Sequence, residues 1–585
     1  MGLVLDYGSL DAAVGENWYD LDPDLQSRVR RDAPAEDREW ADGTLRRMGA
    51  LVGGEVARNA DIIDAHPPEL ARWDRWAGEI GEVRHHPATL DSKRALWEVG
   101  YVSGFAADSA ARGRPAPAVV LGGANYLLSQ ADTGLVCSLG MTSGVAGLVE
   151  AYAPPDVRDR LLAGLRADAL ESGTDGSMFL TERDGGSDLG RTVHCTARDI
   201  GDGRVLISGE KWFCSNVDGA AIVMLARPEG APDGPAGLGL YLVPKELDDG
   251  SRNAMKIRRL KDKLGTKSVP TGEVEFDGAL GYALRRQDGE TSSSDAGGLG
   301  RMMEMVNGSR FGVAMMGLGI GRRAFLESAI WAHHRRAKGR DLVDLPLVQE
   351  SLADQLIELE AAFALGFECA AASRRPDGVR LRRILVPAAK VRLCRLGVEG
   401  ATAAIELHGG NGYCEDWGLT RQLRDAQCHT IWEGTENICA IDVLRAIRRD
   451  GAHEAVLARI DAALTTAADA PAFTAAAVDA VAAARGRLEQ RVASLPTFDP
   501  DHAEAGALRL TGAVAATLSG ALLLEEAAVA EGLHLHKGLV ALRFARRHLG
   551  AEGAEDDRTA ELARELLAFA GDGELDEAAA AKVAA

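Results

Sequence analysis

A segment of short β-rich runs in the middle of the chain sets the strongest limit on its fold. Between residues 175 and 290, runs such as "SMFLTE", "RVLISGEKWFCSN" and "GLGLYLVP" alternate with Gly, Asp and Pro. Runs of this length bounded by turn residues predict β-strands. On both sides, apolar residues recur at three- and four-residue spacing, which predicts amphipathic helices. We therefore expect an α+β fold in which a β-domain lies between two helical regions.

The same pattern predicts four domains. The first is a helical domain at residues 1–174, in which "DAHPPELARW" is interpreted as a loop whose tandem proline leads into another helix. A β-barrel-like domain follows at 175–290, and a helical bundle spans 301–450. Residues 451–585 are rich in Ala and predict a small helical extension.

Composition and charge narrow the class of protein. The chain has 585 residues, of which 46% are hydrophobic and 26% charged, as in soluble globular proteins. Its net charge of −21 disfavours nucleic acid and anionic membranes as general partners. We expect no membrane span and no secretory signal, because no long apolar run is evident. The eight cysteines are scattered without a CxxC pair, so we expect reduced thiols and a cytoplasmic location.

One acid stands out in "HTIWEGTENI", residues 429–438. Glu433 lies between a bulky aromatic residue and a Gly-Thr turn. It is either a catalytic base or a first-turn helix acid stabilised by the helix dipole. The segment alone does not decide between these two roles.

Further segments have both a functional and a packing interpretation. The glycines of "LHGGNGY", residues 407–413, offer bare backbone N–H groups to a pyrophosphate or simply end a helix. "TERDGGSD" (181–188) and "GEKWFCSN" (209–216) could flank a flat ring or form an ordinary turn and core strand. "GLGIG", residues 317–321, lies in an apolar helical run, so close helix packing is favoured over a dinucleotide motif. The paired histidines lack metal-ligand spacing, so no metal site is expected.

Taken in order, these segments resemble one known family. "MFLTERDGGSD", "GEKWFCSN", "RLKDKLGTKSVPTGEVEF", "LHGGNGY" and "IWEGTENI" resemble the acyl-CoA dehydrogenase superfamily of flavoproteins, over residues 60–450. "RNAMKIRRLKDKLG", "KWF", the Trp of "IWEG" and "DVLRA" are most similar to its AidB-like branch. The resemblance implies a helix–β–helix architecture, FAD as cofactor, and a homotetramer or homodimer.

The resemblance also implies site residues. The turn after the first strand of the β-domain is implied to touch the flavin ring, and "KWFCSN" to lie against its edge and N5. The glycine loop and an arginine are implied to reach the FAD of a neighbouring subunit. The residues implied for FAD are Leu180, Thr181, Ser187, Phe213, Ser215, Arg335, Gly409, Gly410, Gly412, Thr435 and Asn437. Those implied for substrate are Ser187, Arg310 and Trp432.

By the same resemblance, Glu433 removes the α-proton of an acyl thioester such as acyl-CoA, and a hydride leaves the β-carbon for flavin N5. Such a base must be desolvated yet within about 3–3.5 Å of the carbon it deprotonates. Burial beside the flavin and Trp432 is expected to raise its pKa. An electron-transfer flavoprotein is the implied oxidant.

Three positions depart from the family pattern. Most members have Tyr or a smaller residue at Trp432, Lys338 replaces an aromatic residue in "RRAKG", and Pro346 stands where many members have Gln. These departures predict a narrower or reshaped pocket at Trp432 and a changed subunit interface.

The C-terminal extension bears on a second hypothesis, a DNA-associated protective flavoprotein of the AidB-like kind. The resemblance to that branch implies that such a protein binds DNA through a basic C-terminal region. Here residues 451–585 contain 12 Lys/Arg and 21 Asp/Glu, a net charge of −9, which opposes phosphate contacts. The only small basic cluster contains Arg543, Arg546 and Arg547. The charge therefore argues against DNA as a partner. A flavin oxidase acting on a non-CoA substrate is a third hypothesis.

Overall fold

The computed structural model describes residues 6–285, 297–376 and 378–550 of the chain. It confirms the α+β fold: helices precede and follow a region of strands. The last residues assigned to the β-domain (286–290) and the end of the extension (551–585) lie outside the described residues. The limits of the four domains stay predictions.

The helices are α1 (Pro23–Asp32), α2 (Arg38–Leu51), α3 (Ala57–Ala65), α4 (Pro87–Glu98), α5 (Ala106–Arg112), α6 (Ala118–Ala131), α7 (Thr133–Tyr152), α8 (Pro155–Leu165), α9 (Leu189–Thr192), α10 (Gly298–His334), α11 (Pro346–Ala372), α12 (Gly378–His408), α13 (Leu419–His429), α14 (Glu436–Asp450), α15 (His453–Thr466), α16 (Ala475–Ser494), α17 (Pro500–Ala505), α18 (Ala507–Val529) and α19 (His534–His548). The strands are β1 (Glu69–Trp73), β2 (Glu79–Arg84), β3 (Gly176–Phe179), β4 (Thr196–Gly201), β5 (Arg204–Ser215), β6 (Ala221–Pro228), β7 (Gly239–Pro244), β8 (Met255–Leu260), β9 (Thr271–Ala283), β10 (Arg336–Ala337) and β11 (Arg340–Asp341).

The described residues form two compact units. The helical unit comprises the chain up to Gly54, residues Pro117–Ala131, and the chain from Val313 onward. The β unit comprises Glu55–Ala116 and Asp132–Gly312. Helix α10 therefore begins in the β unit and ends in the helical unit.

The sheet of the β unit closes on itself. Strand β6 pairs with β4, β4 with β5, β5 with β9, β9 with β7, and β7 pairs back with β6. Alternate side chains of these strands point inward, as the period of a β-strand requires. Phe179, Ile222, Met224 and Val274 are among the buried residues of the resulting core. Closure leaves few exposed strand edges and gives the barrel-like arrangement expected from the sequence.

A hairpin in the N-terminal region was not predicted. The segment "ELARW", expected to be a loop leading into a helix, is strand β1, which pairs antiparallel with β2. Pro67 and Pro68 prevent α3 from continuing into this segment, because proline lacks a backbone N–H and restricts the residue before it. Leu70 and Val83 face each other across the hairpin and pack against the core of the β unit. Their burial therefore stabilises the hairpin in place of a helix.

The glycines of "GLGIG" allow close helix packing, as the sequence predicted. A Cβ atom at Gly317 would lie 2.4 Å from the carbonyl oxygen of Leu393, and one at Gly319 would lie 2.4 Å from the Cβ of Ser129. Helix α10 passes through both glycines without a break. These residues therefore bring α10 against α12 and α6, and they do not form a nucleotide-binding turn.

Among the residues that the structure describes, two helices have the length and hydropathy of a membrane span, although none was expected from the sequence. They are α7 in the β unit and α18 in the helical unit. Most of each apolar window is buried inside the fold, 61% for α7 and 72% for α18. This is the pattern of core helices, and length and composition alone are weak indications of a membrane segment.

Candidate active site

The β unit presents an exposed turn directly after β3, and a buried ion pair supports it. The carboxylate of Glu182 lies 2.7 Å from the Nζ atom of Lys211 on β5, and both side chains are almost fully buried. It also accepts backbone N–H groups of His194 and Cys195. Lys211 donates a second hydrogen bond to the carbonyl oxygen of Leu180. Lys211 thus holds the turn against β5.

A β-bulge in β5 places an aromatic ring and a hydroxyl group beside this turn. Lys211 pairs with Val274 of β9 while Cys214 pairs with Gly272, so two residues of β5 face one of β9. The Trp212 N–H bonds to the carbonyl oxygen of Thr181 at 2.9 Å. Phe213 and Ser215 then point outward on one face, because they are two residues apart along the strand.

We call Leu180, Thr181, Phe213 and Ser215 the ring surface. Phe213 is 54% exposed, which is unusual for an aromatic residue next to a sheet core. The Ser215 hydroxyl lies 3.1 Å from that of Thr271, and Thr271 also accepts a hydrogen bond from Lys263. An apolar ring and ordered hydroxyl groups on one exposed surface suit a flat polar heterocycle.

The other two predicted residues of the β unit, Ser187 and Arg310, are not part of the ring surface. Ser187 is exposed in the polar turn before α9, where Gly186 packs closely on the Thr181 side chain. Arg310 is buried on the first half of α10, with 6% of its surface exposed. The structure places both residues in the β unit without testing their proposed roles.

In the helical unit, Glu433 lies in a tight turn between α13 and α14. Helix α14 begins at Glu436 with Thr435 as its N-cap, so the first-turn acid is Glu436 and not Glu433. The interpretation of Glu433 as a helix-start acid is therefore wrong. Its backbone is left-handed, with φ of 56°. For a residue other than glycine, such a conformation costs about 1–2 kcal/mol and is often found at functional sites.

Two buried side chains lie beneath this turn, which we call the base turn (residues 430–435). The Lys390 ammonium, fully buried on α12, donates to the carbonyl oxygens of Thr430 at 2.9 Å and Gly434 at 2.6 Å. His429 is also fully buried, and its ring centroid lies 5.9 Å from that of Trp432. Burial, with a smaller contribution from Lys390, lowers the pKa of His429 to about 3. His429 is therefore neutral at physiological pH.

The glycine loop follows α12 in the helical unit. Gly409 adopts a left-handed φ of 61° directly after the helix, as in a helix C-cap. No described atom lies within 4 Å of a Cβ built at Gly409 or Gly410, whereas one at Gly412 would lie 2.4 Å from the Ile405 carbonyl oxygen. The loop therefore combines a tightly packed glycine with two glycines whose faces are open.

The N-terminus of α14 is open in a similar way. Thr435 and Asn437 are exposed, and within the described chain the Thr435 hydroxyl makes no capping hydrogen bond. The N–H groups and dipole at a helix N-terminus attract anions such as phosphate. This end of α14 is therefore able to hold a negatively charged group.

The departures from the family pattern have local structural explanations. Arg335 is exposed immediately after α10. It precedes a hairpin of β10 and β11, whose two tip residues, Lys338 and Gly339, both have positive φ. Such a tip favours a two-residue turn of the primed type. Pro346 occupies the first turn of α11, where its missing N–H costs nothing.

In the β unit, the structure brings Leu180 and Thr181 together with Phe213 and Ser215. In the helical unit, Trp432, Glu433, Thr435 and Asn437 share one turn and the helix start that follows it. Sequence reasoning missed Lys390, the Glu182–Lys211 pair and the Lys263–Thr271 contact beside Ser215. Lys390 had one available signal: it is a single charge in the apolar run "ILVPAAKV". A lysine in such a run either hydrogen-bonds to buried acceptor atoms or extends its ammonium group to the surface, because an unpaired buried charge is unfavourable.

Comparison with known proteins identifies the family. Residues 10–171 match the description "Adaptive response protein AidB N-terminal domain", 177–279 match "Acyl-CoA dehydrogenase, middle domain", and 296–448 match "Acyl-CoA dehydrogenase, C-terminal domain". The chain is 33% identical to AidB of Escherichia coli (strain K12) over 445 residues, which are 74% of this chain and 78% of AidB. The chain belongs to the acyl-CoA dehydrogenase family. Its similarity to AidB and its AidB-type N-terminal region confirm the AidB-like branch.

Solved structures of this family have the same fold. The crystal structure of Caenorhabditis elegans ACDH-11 in complex with C11-CoA gives a TM-score of 0.84 at 25% identity and covers 93% of each chain. An acyl-CoA dehydrogenase from Bacillus anthracis complexed with FAD gives a TM-score of 0.70 over 94% of each chain. At 16% identity, the second comparison bears on the fold alone.

As an acyl-CoA dehydrogenase family member, the protein is a flavin-dependent oxidoreductase with FAD as its cofactor. The residues present fit this cofactor. In the β unit, the ring surface has an exposed aromatic ring and partly exposed hydroxyl groups. In the helical unit, Gly409 and Gly410 leave open space in the glycine loop, and the start of α14 is a helix N-terminus, which suits phosphate. Among the described residues, no group of three or more His, Cys, Asp or Glu side chains is arranged to bind a metal ion.

Proposed function

We propose that the protein dehydrogenates the α,β-bond of an acyl thioester, with Glu433 as the base that removes the α-proton. The observation that carries this proposal is the backbone of Glu433. It stands outside α14 in a left-handed conformation, with a buried lysine bonded to the turn around it. A carboxylate needed only for helix stability would lie in the first turn, where Glu436 already lies.

The chain's own residues supply the proton chemistry. The Glu433 carboxylate accepts the α-proton and becomes a carboxylic acid, while negative charge develops on the thioester carbonyl. Hydrogen-bond donors at that oxygen stabilise the developing enolate. Bound FAD would supply the acceptor for the hydride that leaves the β-carbon. Trp432, partly buried beside Glu433, limits the space available for the acyl chain.

The relatives support a thioester substrate without defining it. ACDH-11 of C. elegans was solved with C11-CoA, so a similar fold accommodates a medium-length acyl-CoA. We extend the proposal to an acyl-CoA or a carrier-linked acyl thioester as substrate, and to an electron-transfer flavoprotein as oxidant. A homotetramer or homodimer and a cytoplasmic location complete it.

The alternative of a DNA-associated flavoprotein draws support from the similarity to AidB, and the basic cluster on α19 argues against it. Arg543 is buried and lies 2.6 Å from Glu350 and 2.7 Å from Asp354. Arg547 lies 2.5 Å from Asp354 and 3.5 Å from Glu358. Acids of α11 therefore already bind these guanidinium groups, which leaves little positive charge for phosphate.

An anaerobic substrate panel tests the proposed function. Purified protein reconstituted with FAD is mixed with straight- and branched-chain acyl-CoAs of different lengths, and flavin absorbance is followed. We expect at least one thioester to bleach the oxidised flavin band. If no thioester bleaches it while duplex DNA binds in a salt-sensitive way, the AidB-like alternative replaces this proposal.

A further inference from the structure

We propose that Lys390 is a positioning residue that fixes Glu433 in its reactive orientation through the backbone of the base turn. The inference rests on the proposed role of Glu433. It assigns to Lys390 no contact with substrate or cofactor. Instead, Lys390 acts through the carbonyl groups on either side of Glu433.

Lys390 holds the base turn through two hydrogen bonds, one on each side of Glu433. Lys390 donates to the carbonyl of Thr430, three residues before Glu433, and to that of Gly434, the next residue. The two acceptors thus bracket the left-handed residue, and a single ammonium group binds both. The Cys439 thiol also contacts the Gly434 carbonyl oxygen at 3.7 Å, from the first turns of α14.

The turn needs such support because its backbone is strained at Glu433 and Gly434. The N–H groups of Ile431 and Trp432 both bond to the carbonyl of Cys428, and Ile431 is 58% exposed. Gly434 has a positive φ of 100°, so two consecutive residues depart from the usual backbone regions. Strained backbone persists only where its surroundings define it more strongly than local preference does.

The position of Lys390 on a long helix makes its support of the base turn rigid. It lies on α12, a 31-residue helix, three residues after Pro387 inside that helix. Its side chain is fully buried, so water does not compete for its donors. A base displaced by about 1 Å loses on the order of 10²-fold in rate, so a rigid support beneath the turn has a direct kinetic effect.

The test compares Lys390→Met and Lys390→Gln with a control on the same helix. Arg395→Met removes a long cation that contacts Glu436, the first residue of α14, at 2.7 Å, and leaves the base turn carbonyls untouched. An acyl thioester whose β-carbon is replaced by sulfur has no hydride to give, so loss of its α-proton isolates the step assigned to Glu433. The rate of α-proton exchange in deuterated water is followed by NMR for each protein, together with FAD content and thioester affinity.

We expect exchange to fall 10- to 100-fold in both Lys390 variants, with FAD content and thioester affinity close to wild type and no loss in Arg395→Met. Amide hydrogen exchange at Ile431 and Trp432 should become faster in the Lys390 variants alone. Unchanged α-proton exchange in the Lys390 variants would overturn the inference. If wild-type protein itself exchanges no α-proton, the proposed function fails, and amide exchange still decides whether Lys390 fixes the turn.

Discussion

The Nζ atom of Lys211 lies 2.7 Å from the carboxylate of Glu182 in the interior of the β unit, with neither side chain more than 4% exposed. Glu182 belongs to the turn after β3, and Lys211 to the strand that carries Phe213 and Ser215. This one ion pair therefore joins the two segments that form the ring surface. Its removal should affect stability and cofactor binding together.

Replacing Lys211 should destabilise the β unit. Lys211→Met leaves the Glu182 carboxylate buried without its cation, a change that costs roughly 3–5 kcal/mol. Urea denaturation at saturating FAD measures the loss, and flavin absorbance after gel filtration measures cofactor retention. The double variant Glu182→Gln, Lys211→Met removes both charges, so part of the stability should return. A double variant less stable than Lys211→Met would show that charge compensation is not the reason for the pair.

The glycine loop offers a matched pair of substitutions. Gly412→Ala should lower stability by about 1–3 kcal/mol, because its Cβ would lie 2.4 Å from the Ile405 carbonyl oxygen. Gly410→Ala should leave the melting temperature of the FAD-free protein unchanged, since no described atom lies within 4 Å of its Cβ. If the open face of this loop receives FAD, Gly410→Ala weakens FAD binding in a titration. Equal FAD affinity in Gly410→Ala and wild type would show that the glycine loop does not bind FAD at this position.

The buried imidazole of His429 predicts a pH dependence of stability. Its folded pKa of about 3 lies below the ordinary value of 6.5, so the unfolded chain binds the proton more readily between these limits. Stability from this group is complete above pH 6.5 and is lost as the pH falls toward 3. Linkage gives a loss of about 2 kcal/mol between pH 7 and pH 5.

Denaturation of His429→Phe at the same two pH values checks this expectation, because the variant cannot take up that proton. The difference between pH 7 and pH 5 should shrink by about 2 kcal/mol relative to wild type. An identical difference in both proteins would mean that His429 does not titrate as its burial predicts.

The basic cluster on α19 should act in folding rather than in DNA binding. Arg543→Met should destabilise the protein by about 1–3 kcal/mol, because Glu350 and Asp354 lose a shared, buried partner. Full-length wild-type protein should not shift duplex DNA in a gel assay at about 0.15 M salt. A shift that weakens with added salt and disappears in Arg543→Met would reverse this assignment.

The order of elements was predictable because it depends on local sequence. Strand runs such as β6 and the glycines of α10 are determined by periodicity and side-chain size, and the structure confirms both. The hairpin of β1 and β2 was missed because its strands are short and polar. Leu70 and Val83 become a core pair only when the rest of the β unit is present.

In the candidate site, too, local sequence predicted some residues and missed others. The motif predicted Glu433 as a base but also allowed a helix-start acid. The backbone at residues 433–436 rules out the helix-start position, and the role as a base stays a proposal. Lys390 lies 43 positions earlier in the chain, so its contact with the base turn depends on how α12 and α13 pack. No local pattern encodes a hydrogen bond from a side chain to a distant carbonyl group.

The most direct test of Glu433 as the base compares Glu433→Gln with Glu436→Gln. Glu436 is the first-turn acid of α14 and lies three residues further along the chain. Both variants are loaded with FAD and mixed anaerobically with the best acyl-CoA for the wild type, and flavin bleaching is timed by stopped flow. We predict that Glu433→Gln retains FAD and bleaches about 10²–10⁴-fold more slowly, while Glu436→Gln bleaches at close to the wild-type rate. Bleaching of Glu433→Gln at the wild-type rate would contradict the assignment of Glu433 as the base.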